Sequence, residues 1–448
     1  MKNTLLCIMV AVLCLPQLSI AQKKKQYNEN GEIIKTGWNF GPLPVVGFDS
    51  DLGFQYGVCC DIFHYGNGEL YPQYKLKMNV EASTYTKGSS ILRFSGNMPD
   101  IGNGTKLFVD ACYFNANKYE FLGYNGYEAY YDPAYLLLKD PDSETPSKSA
   151  FYYLNRRQFR FVASVQRPLF NINNFYWAAG LAYYNTHINR INIADYDSQY
   201  TLYECYRDNG LIRDNEAHGG NTLQIRAGII YDTRDLPNDP TSGIYFEGSL
   251  AGAPDFIDKN GYSHLTSTLI WRQYLSVWNN KLTFSYRIGA QNLFAGEMPW
   301  HTINNLNTLF FSKLYTEALG SNNTIRGVDR NRVVGEGFLV GNLELRWRVV
   351  GFQFINQNWI IGVNPFFDAG MITQTFRDEE IKEYKMSLEH PEDDKLFTNS
   401  NESMHFGAGC GLKIIMNRNL IVSVDVAKAL DNRDGQKLKT YIGFNYIF

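Results

Sequence analysis

Hydrophobic and polar residues alternate one by one along several stretches of the chain. Residues 75–84 place lysine, asparagine, glutamate and serine on one face, and leucine, methionine, valine, alanine and threonine on the other. The same period of two recurs at 223–229, 281–290 and 342–349. Successive side chains of a β-strand point to opposite faces, so the pattern predicts strands with one polar and one apolar face. After residue 21, no apolar run approaches the roughly 18 residues of a membrane-spanning helix.

The alternating segments are long and numerous. They run about 9–14 residues, whereas globular strands usually have about 5–6 and a tilted strand needs about 9–11 to cross a bilayer. Their polar faces carry many lysine, arginine and glutamate side chains, which favours a wet lumen over the interior of a soluble sandwich. The predicted strand centres are residues 45, 58, 80, 93, 110, 161, 181, 226, 248, 269, 286, 343, 366, 410, 424 and 443. The sequence therefore predicts an all-β fold, a transmembrane antiparallel β-barrel of about sixteen strands.

The connections between these strands alternate between long and short. The long connections are residues 117–150, 190–218, 293–335 and 376–403. The tight turns are residues 169–173, 278–280 and 417–419. Bacterial outer-membrane barrels have long extracellular loops and short periplasmic turns, and an even strand number returns both termini to the periplasm. We therefore expect the long connections on the outer side and both ends of the barrel in the periplasm.

The first residues indicate export. Lys2 is followed by a short apolar run and then by the small-residue site Ser19-Ile20-Ala21, the pattern of a cleaved secretory signal peptide. A lipoprotein signal ending at Cys14 is an alternative that the bulky Leu13 disfavours. The expected organisation is a signal peptide at 1–21, a short periplasmic segment at 22–40 and an outer-membrane barrel at 41–448.

Composition narrows the functional classes. Aromatic residues make up 15% of the chain, which suits the aromatic girdles of a membrane barrel. The formal net charge of −3 gives no indication of nucleic-acid binding. None of the seven histidines stands in an HExxH pair or near a GxSxG elbow, and no CxxC spacing occurs. We therefore expect neither an enzyme nor a metal or other cofactor.

Four patches in a fixed order carry a family resemblance. They are Ala318 to Val328, Gly341 to Arg346, Phe366 to Gly370, and Tyr231 to Asp235 with Pro240 to Gly243. Together they resemble the BamA/TamA-type outer-membrane assembly barrels, also called the bacterial surface-antigen family, over roughly residues 41–448. Members that act in assembly carry periplasmic receptor domains before the barrel. Here the segment before the first strand is too short for such a domain, so the chain resembles a barrel-only member.

The resemblance implies that Arg326, in the loop motif Arg326-Gly327-Val328, folds back into the lumen, although Val328 replaces the family's usual aromatic residue. Strand parity places Asp368 on the lumen face, because a carboxylate facing lipid would be costly. We therefore expect an ion pair between Arg326 and Asp368, with Glu344 accepting the remaining guanidinium donors. The other expected lumen residues are Asn342, Arg346, Phe366 and Gly370. The expected inner-turn motif consists of Asp232, Arg234, Asp235, Pro240 and Gly243.

Four further expectations concern the last strands. The final residues resemble the C-terminal signal by which such barrels are recognised for assembly, carried by Gly443, Tyr446 and Phe448. The side chains expected to face lipid are those of Ile442, Phe444, Tyr446 and Phe448. Pro365 has no backbone donor and predicts a bulge in its strand. The small residues at 407–411 leave room inside the barrel for something bulky.

The leading functional hypothesis is a barrel that assists insertion or translocation of proteins or lipids at the outer membrane. Strand 1, around Leu43 to Asp49, is expected to be short and to form few ladder bonds with strand 16, and a poorly paired edge is a template for an incoming strand. Expected partners are outer-membrane lipid, the assembly machinery of which this chain is a client, and a periplasmic or outer-membrane protein supplying client recognition. The rival hypotheses are a passive pore or transporter plugged by the inward-folded loop, and a structural or surface-binding barrel.

Overall fold

The computed structural model describes residues 26–27, 31–49, 52–132, 150–170, 172–192, 200–257, 261–279, 281–305, 318–389, 394 and 396–448. The expected signal peptide lies outside these residues. Sixteen strands form the described fold: β1 (Trp38–Asp49), β2 (Gly53–His64), β3 (Leu76–Tyr85), β4 (Ser89–Met98), β5 (Lys106–Glu120), β6 (Tyr153–Pro168), β7 (Phe175–Arg190), β8 (Gly219–Asp232), β9 (Gly243–Ala253), β10 (His264–Trp278), β11 (Leu282–Gly296), β12 (Gly337–Phe354), β13 (Gln357–Gln374), β14 (His405–Met416), β15 (Leu420–Ala429) and β16 (Lys439–Phe444).

These strands form one closed antiparallel barrel. Each strand pairs with its neighbours in sequence, and β1 pairs with β16 to close the sheet. All sixteen predicted centres fall within the sixteen strands, so the predicted fold class is confirmed. The long connections, including 121–152, 191–218, 297–336 and 375–404, all leave from one end, which we call the long-loop end. We call the opposite end the short-turn end.

The two faces of the sheet differ as the alternation predicted. In β12, Leu343, Leu345 and Trp347 point outward and are 44%, 39% and 46% exposed. The intervening Glu344 and Arg346 point into the barrel and are buried. An outward apolar band with polar residues inside is the arrangement that lets a barrel lie in lipid.

A packed cap covers the long-loop end. It contains two helices, α1 (Leu202–Asp208) and α2 (Asp378–Ser387), and two short 3-10 turns at Gly126–Glu128 and Asn432–Asp434. Aromatic rings from several loops meet edge to face, with Phe121 packing against Tyr124, Tyr206 and Trp300. Beneath them, Arg377 forms a buried ion pair with Glu216. Within the described residues, no helix is long and apolar enough to cross a membrane.

The ends of the sheet differ from the prediction in two ways. Strand β1 is not short: it begins at Trp38, before the expected boundary at residue 41, and has 12 residues, whereas β16 has 6. The prediction that Tyr446 and Phe448 face lipid is wrong, since they are buried, at 5% and 6% exposure. Strand β16 ends at Phe444, and Asn445 adopts a left-handed conformation (φ 63°) that ends the alternation and turns the chain into the lumen.

The bulge predicted at Pro365 is also absent. Pro365 pairs in register with Cys410 of β14, and the β12–β13 register is the same before and after Pro365. The two irregularities in that ladder lie elsewhere in β12, between Gly337 and Phe338 and between Arg348 and Val350. Proline removes a donor without requiring an extra residue, so the strand keeps its register.

Candidate functional site

The loop between β11 and β12 re-enters the barrel along residues 318–336. A bridge between Leu319 and Val333 closes a hairpin-like turn. The turn buries Ile325 and Val328 against Val340 of β12 and other apolar side chains of the wall. Val328, which replaces the family's aromatic residue, is fully buried. This apolar contact places the polar Arg326 beside the inner surface of the sheet.

Arg326 is bound by carboxylates on two adjacent strands. Its Nε and Nη2 donate to the two oxygens of Asp368, at 2.7 and 2.9 Å, and its Nη1 donates to Glu344 at 2.8 Å. The Arg326 backbone N–H donates to Asp368 at 3.0 Å. All three side chains have 0% exposure. The predicted ion pair is therefore present, and the fork of the guanidinium is matched by two acceptors.

Further lumen residues complete this cluster, which we call the lumen lock. Asn342 donates to Asp368 at 2.8 Å and to the Thr324 carbonyl oxygen, which fixes the carboxylate and the loop together. The ring of Phe366 lies 3.4 Å from the Arg326 guanidinium carbon, a close cation–π contact. Asp425 of β15 lies 3.8 Å from Arg326 and pairs with Lys413 of β14 at 2.7 Å. The lock therefore spans four neighbouring strands.

Glycines make room for the loop at the wall. A Cβ at Gly407 would overlap the Arg326 carbonyl oxygen, and a Cβ at Gly370 would lie 2.7 Å from Ile325. Gly327 has a φ of +96°, a conformation that L side chains rarely adopt, and lies against the backbone of Lys428. The prediction that the small residues at 407–411 accommodate something bulky is confirmed at Gly407.

The same loop contacts the last strand from inside. The Gly327 N–H donates to the Tyr441 hydroxyl at 3.3 Å. Lys439, the first residue of β16, pairs with Asp329 of the loop at 2.6 Å. Tyr441 also packs against Phe366 in the lumen. Tyr441 was not predicted as a lumen residue, although its side chain must point to the face opposite that of the neighbouring Ile442, which was expected to face lipid.

The inward-turned residues after β16 are held by two arginines. Arg346 donates to Glu344 at 2.8 Å and to the Phe448 carbonyl oxygen at 2.8 Å, and lies 4.0 Å from the ring centroid of Tyr446. Arg287 donates to the carbonyl oxygens of Ile447, at 3.3 Å, and Asn323 of the loop, at 3.1 Å, and to Asn342. The chain after β16 is thus linked to the lumen lock through Arg346 and Arg287, of which Arg287 was missed from sequence.

By contrast, β1 and β16 share few backbone contacts. Within the described residues, two pairs join them, Phe48 with Ile442 and Asp49 with Tyr441. Twelve pairs join β1 to β2, and six join β15 to β16. The short strand at this closure is β16, with 6 residues, and not β1, which has 12.

The inner-turn motif lies at the short-turn end, away from the lumen lock. Arg234 binds both oxygens of Asp232, each at 2.9 Å, and Asp235 accepts from the Thr241 N–H at 2.9 Å, which ties the two sides of the turn together. Gly243 has a φ of +100°, and Pro240 is buried.

This turn also contacts other strands, which the sequence did not reveal. Asp239 accepts from Arg348 of β12, at 2.8 Å, and from Arg418 in the β14–β15 turn, at 3.4 Å. Asn238 donates to Asn419 at 3.0 Å. The β8–β9 turn therefore links strands on separate parts of the barrel circumference.

These features define a transmembrane β-barrel with a loop docked in its lumen. The Omp85 superfamily domain model matches residues 74–446, so the chain belongs to the Omp85 superfamily and is a bacterial outer-membrane barrel. A sequence comparison with curated proteins finds no match.

Solved structures share this fold. BamA from Haemophilus ducreyi lacking POTRA domains 1–3 aligns over 99% of this chain and 78% of its own, with a TM-score of 0.53 and 13% identity. CdiB from Escherichia coli aligns over 96% of this chain and 68% of its own, with a TM-score of 0.51 and 10% identity. At these identities the likeness is one of fold.

Proposed function

We propose that this barrel assists insertion or translocation of proteins or lipids at the outer membrane by opening the seam between β1 and β16. The observation that carries the proposal is that, among the described residues, two pairs join β1 to β16. A backbone hydrogen bond contributes a net of about 0.5–1.5 kcal/mol. Two such bonds therefore cost about 1–3 kcal/mol to open where the freed groups meet water. Opening β1–β2 in the same way costs several times more.

The edge that opening exposes is specific to β1. Residues 38–47 of β1 pair with β2 but have no partner in β16. Pro42 and Pro44 are two residues apart, so their backbone nitrogens point to the same side of β1. A proline fits into a strand ladder without losing a hydrogen bond only where its nitrogen points away from the paired strand. Both nitrogens therefore face the seam, where the edge offers carbonyl acceptors and few donors. Such an edge restricts continuous strand addition and favours short or transient pairing.

In this mechanism the lumen lock stabilises the closed state of the seam. Strand β16 is held from inside at Tyr441 by Gly327, and the chain after β16 is held at Phe448 by Arg346. Release of the loop removes the Gly327 contact and also takes Arg326 away from Glu344, the carboxylate that Arg326 shares with Arg346. In this proposal the long-loop end faces outward and both barrel termini face the periplasm. Residues 441–448 are also the recognition signal for the machinery that assembles this barrel.

A cysteine crosslink tests the seam. In a background lacking the five free cysteines, Cys59, Cys60, Cys112, Cys205 and Cys410, cysteines replace Phe48 and Ile442. Paired antiparallel residues lie within disulfide range. We expect incomplete crosslinking, and loss of function once the crosslink forms, reversed by reductant. Function is read as the outer-membrane protein and lipid composition after depletion of the native chain.

The matched control joins the same β1 residue to its other neighbour, with cysteines replacing Phe48 and Phe54, which pair across β1–β2. This crosslink should form fully and leave function intact. Full seam crosslinking with unchanged function would refute the proposal. A rival function, a passive pore plugged by the inward loop, is supported by the burial of Arg326 and Val328 in the lumen. It predicts ion conductance in planar bilayers that rises when the loop is released and is insensitive to the seam crosslink.

A further inference from the structure

An open pocket lies on the outward face of the barrel near the long-loop end. It has a volume of about 430 Å³ and is lined by Tyr113, Arg157, Phe159, Asn185, His187 and Asn189. The lining residues belong to β5, β6 and β7, and their side chains point away from the lumen. Arg157 occupies the centre, paired across the ladder with Asn115 on one side and His187 on the other.

The position of Arg157 along β6 matches the edge of the apolar band. Arg167 lies on the same outward face ten residues later, and both arginines are exposed. Between them the outward residues are Phe159, Phe161, Ala163 and Val165. Ten residues span about 33 Å along a strand, and a tilt of about 35–45° reduces this to about 25 Å, the height of a barrel's apolar band. The two arginines therefore lie at the two headgroup levels.

Aromatic residues mark the same boundary. Tyr113 and Phe159, 43% and 38% exposed, lie directly on the apolar side of Arg157, together with Tyr183. Aromatic girdles of this kind lie at membrane–water interfaces. Beyond the girdle, toward the long-loop end, the outward residues become polar and are mostly asparagines: Asn115, Asn117, Asn155, Asn185, Asn189 and Asn221.

The charge of the pocket is unbalanced. In the part of the chain that the structure describes, no outward-facing residue of β5–β8 is an aspartate or glutamate. Among the same residues, Arg157 takes part in no ion pair, in contrast to Arg93 and Arg160 on the inner face, which both bind Asp110. A guanidinium presents a planar fork of donors that fits a phosphate. Amide side chains beside it supply donors and acceptors for hydroxyl groups.

We propose that this pocket binds the phosphate-bearing headgroup of a membrane lipid in the leaflet at the long-loop end. Arg157 binds the phosphate and His187 lies beside it. The surrounding asparagines hydrogen-bond the hydroxyls of the headgroup, and the acyl chains lie along Phe159, Phe161 and Leu181 of the apolar band. The site is independent of the seam and of the client, so it stands or falls separately from the proposed function.

Native mass spectrometry of the full chain in detergent tests the site, with diphosphorylated lipid A as the probe and dephosphorylated lipid A as the comparison. The unmodified protein should bind the phosphorylated form about tenfold more tightly, the range of a charge-assisted interaction. Arg157→Gln should remove this preference. Arg167→Gln, on the same face of the same strand at the other headgroup level, should retain it. The heat-modifiable mobility of both variants on semi-native gels shows that they fold.

Three outcomes would overturn the proposal. Equal binding of the two lipid A forms would show that phosphate is not recognised. Equal losses in Arg157→Gln and Arg167→Gln would show an unspecific effect of surface charge. Full displacement of the lipid by millimolar inorganic phosphate would show a free-phosphate site rather than a lipid site. Arg157→Lys, which keeps the charge but not the fork, should lose less preference than Arg157→Gln.

Discussion

Replacing Arg326 with alanine is the sharpest perturbation of the lumen lock. The change removes three side-chain hydrogen bonds, two to Asp368 and one to Glu344, from a site with 0% exposure. Glu344 keeps Arg346 at 2.8 Å. Asp368 keeps the Asn342 amide at 2.8 Å, which is a donor but not a countercharge. The main cost therefore falls on Asp368, which stays buried and charged.

The size of the effect follows from the charges. Removing one partner of a buried pair costs about 3–5 kcal/mol, equivalent to a roughly 150- to 5,000-fold shift in an equilibrium constant. The connected ion pairs join three cations, Arg326, Arg346 and Lys413, to three carboxylates, Glu344, Asp368 and Asp425. Either single replacement unbalances the cluster by one charge, whereas replacing Arg326 and Asp368 together restores the balance. The double variant should therefore lose little more than either single variant.

Limited proteolysis of the loop in intact cells measures this equilibrium. When opening is fast relative to cleavage, the rate follows the population of the released loop. We expect Arg326→Ala and Asp368→Ala each to impair function and to accelerate cleavage by at most roughly 150- to 5,000-fold. The double variant should lie within about tenfold of either single variant. Arg433→Ala is the control, because its pair with Asp431 is largely exposed and such pairs contribute about 0–1 kcal/mol.

Two results would refute this reasoning. Cleavage at the native rate in both single variants would show that the lock does not hold the loop. A double variant whose acceleration equals the product of the two single accelerations would show that Arg326 and Asp368 act independently.

Two further predictions concern the loop. Gly407→Ala should release the loop, because the added Cβ overlaps the Arg326 carbonyl oxygen. Gly96→Ala, with nothing within 4 Å of its Cβ, is the control, and its loop should be cleaved at the native rate. Equal cleavage rates in the two variants would contradict the close packing at Gly407. Burial and the nearby Glu297 raise the pKa of Glu336 in the loop to about 7, so its stabilising protonated form is fully present below about pH 4.5 and is lost as the pH rises through 7. Loop cleavage should thus be slower at pH 5.5 than at pH 8, Glu336→Gln should reduce this difference, and an unchanged difference in that variant would contradict the assignment.

Most of the barrel could be predicted from the sequence because its information is local. Alternation has a period of two in every strand, and a polar residue on the lipid face is costly wherever it occurs. Asp368 could therefore be assigned to the lumen from its neighbours in one strand. The entry of Arg326 into the lumen was expected from the family resemblance. The position of Glu344 on the inward face of its strand predicted a second acceptor. Each of these inferences needs the strand or the motif alone.

The remaining features depend on contacts between residues far apart in the sequence, which no local pattern reveals. Tyr446 and Phe448 continue the alternation of β16 in sequence, yet Asn445 turns them inward, where Arg346 contacts both. Arg287 binds the Ile447 carbonyl oxygen between them. A lipid-facing and a lumen-buried aromatic residue look alike in sequence, because each satisfies the same apolar preference.

The seam and the inner turn were decided by the closure of the barrel. How many pairs join β1 to β16 depends on where β16 ends, which the lumen contacts determine and strand propensity does not. Asp239 finds Arg348 and Arg418 because closure brings turns far apart in sequence to one end. The sequence by itself determined which residues face inward. The tertiary structure decided which of these residues contact one another, because residues on distant strands come together only when the barrel is closed.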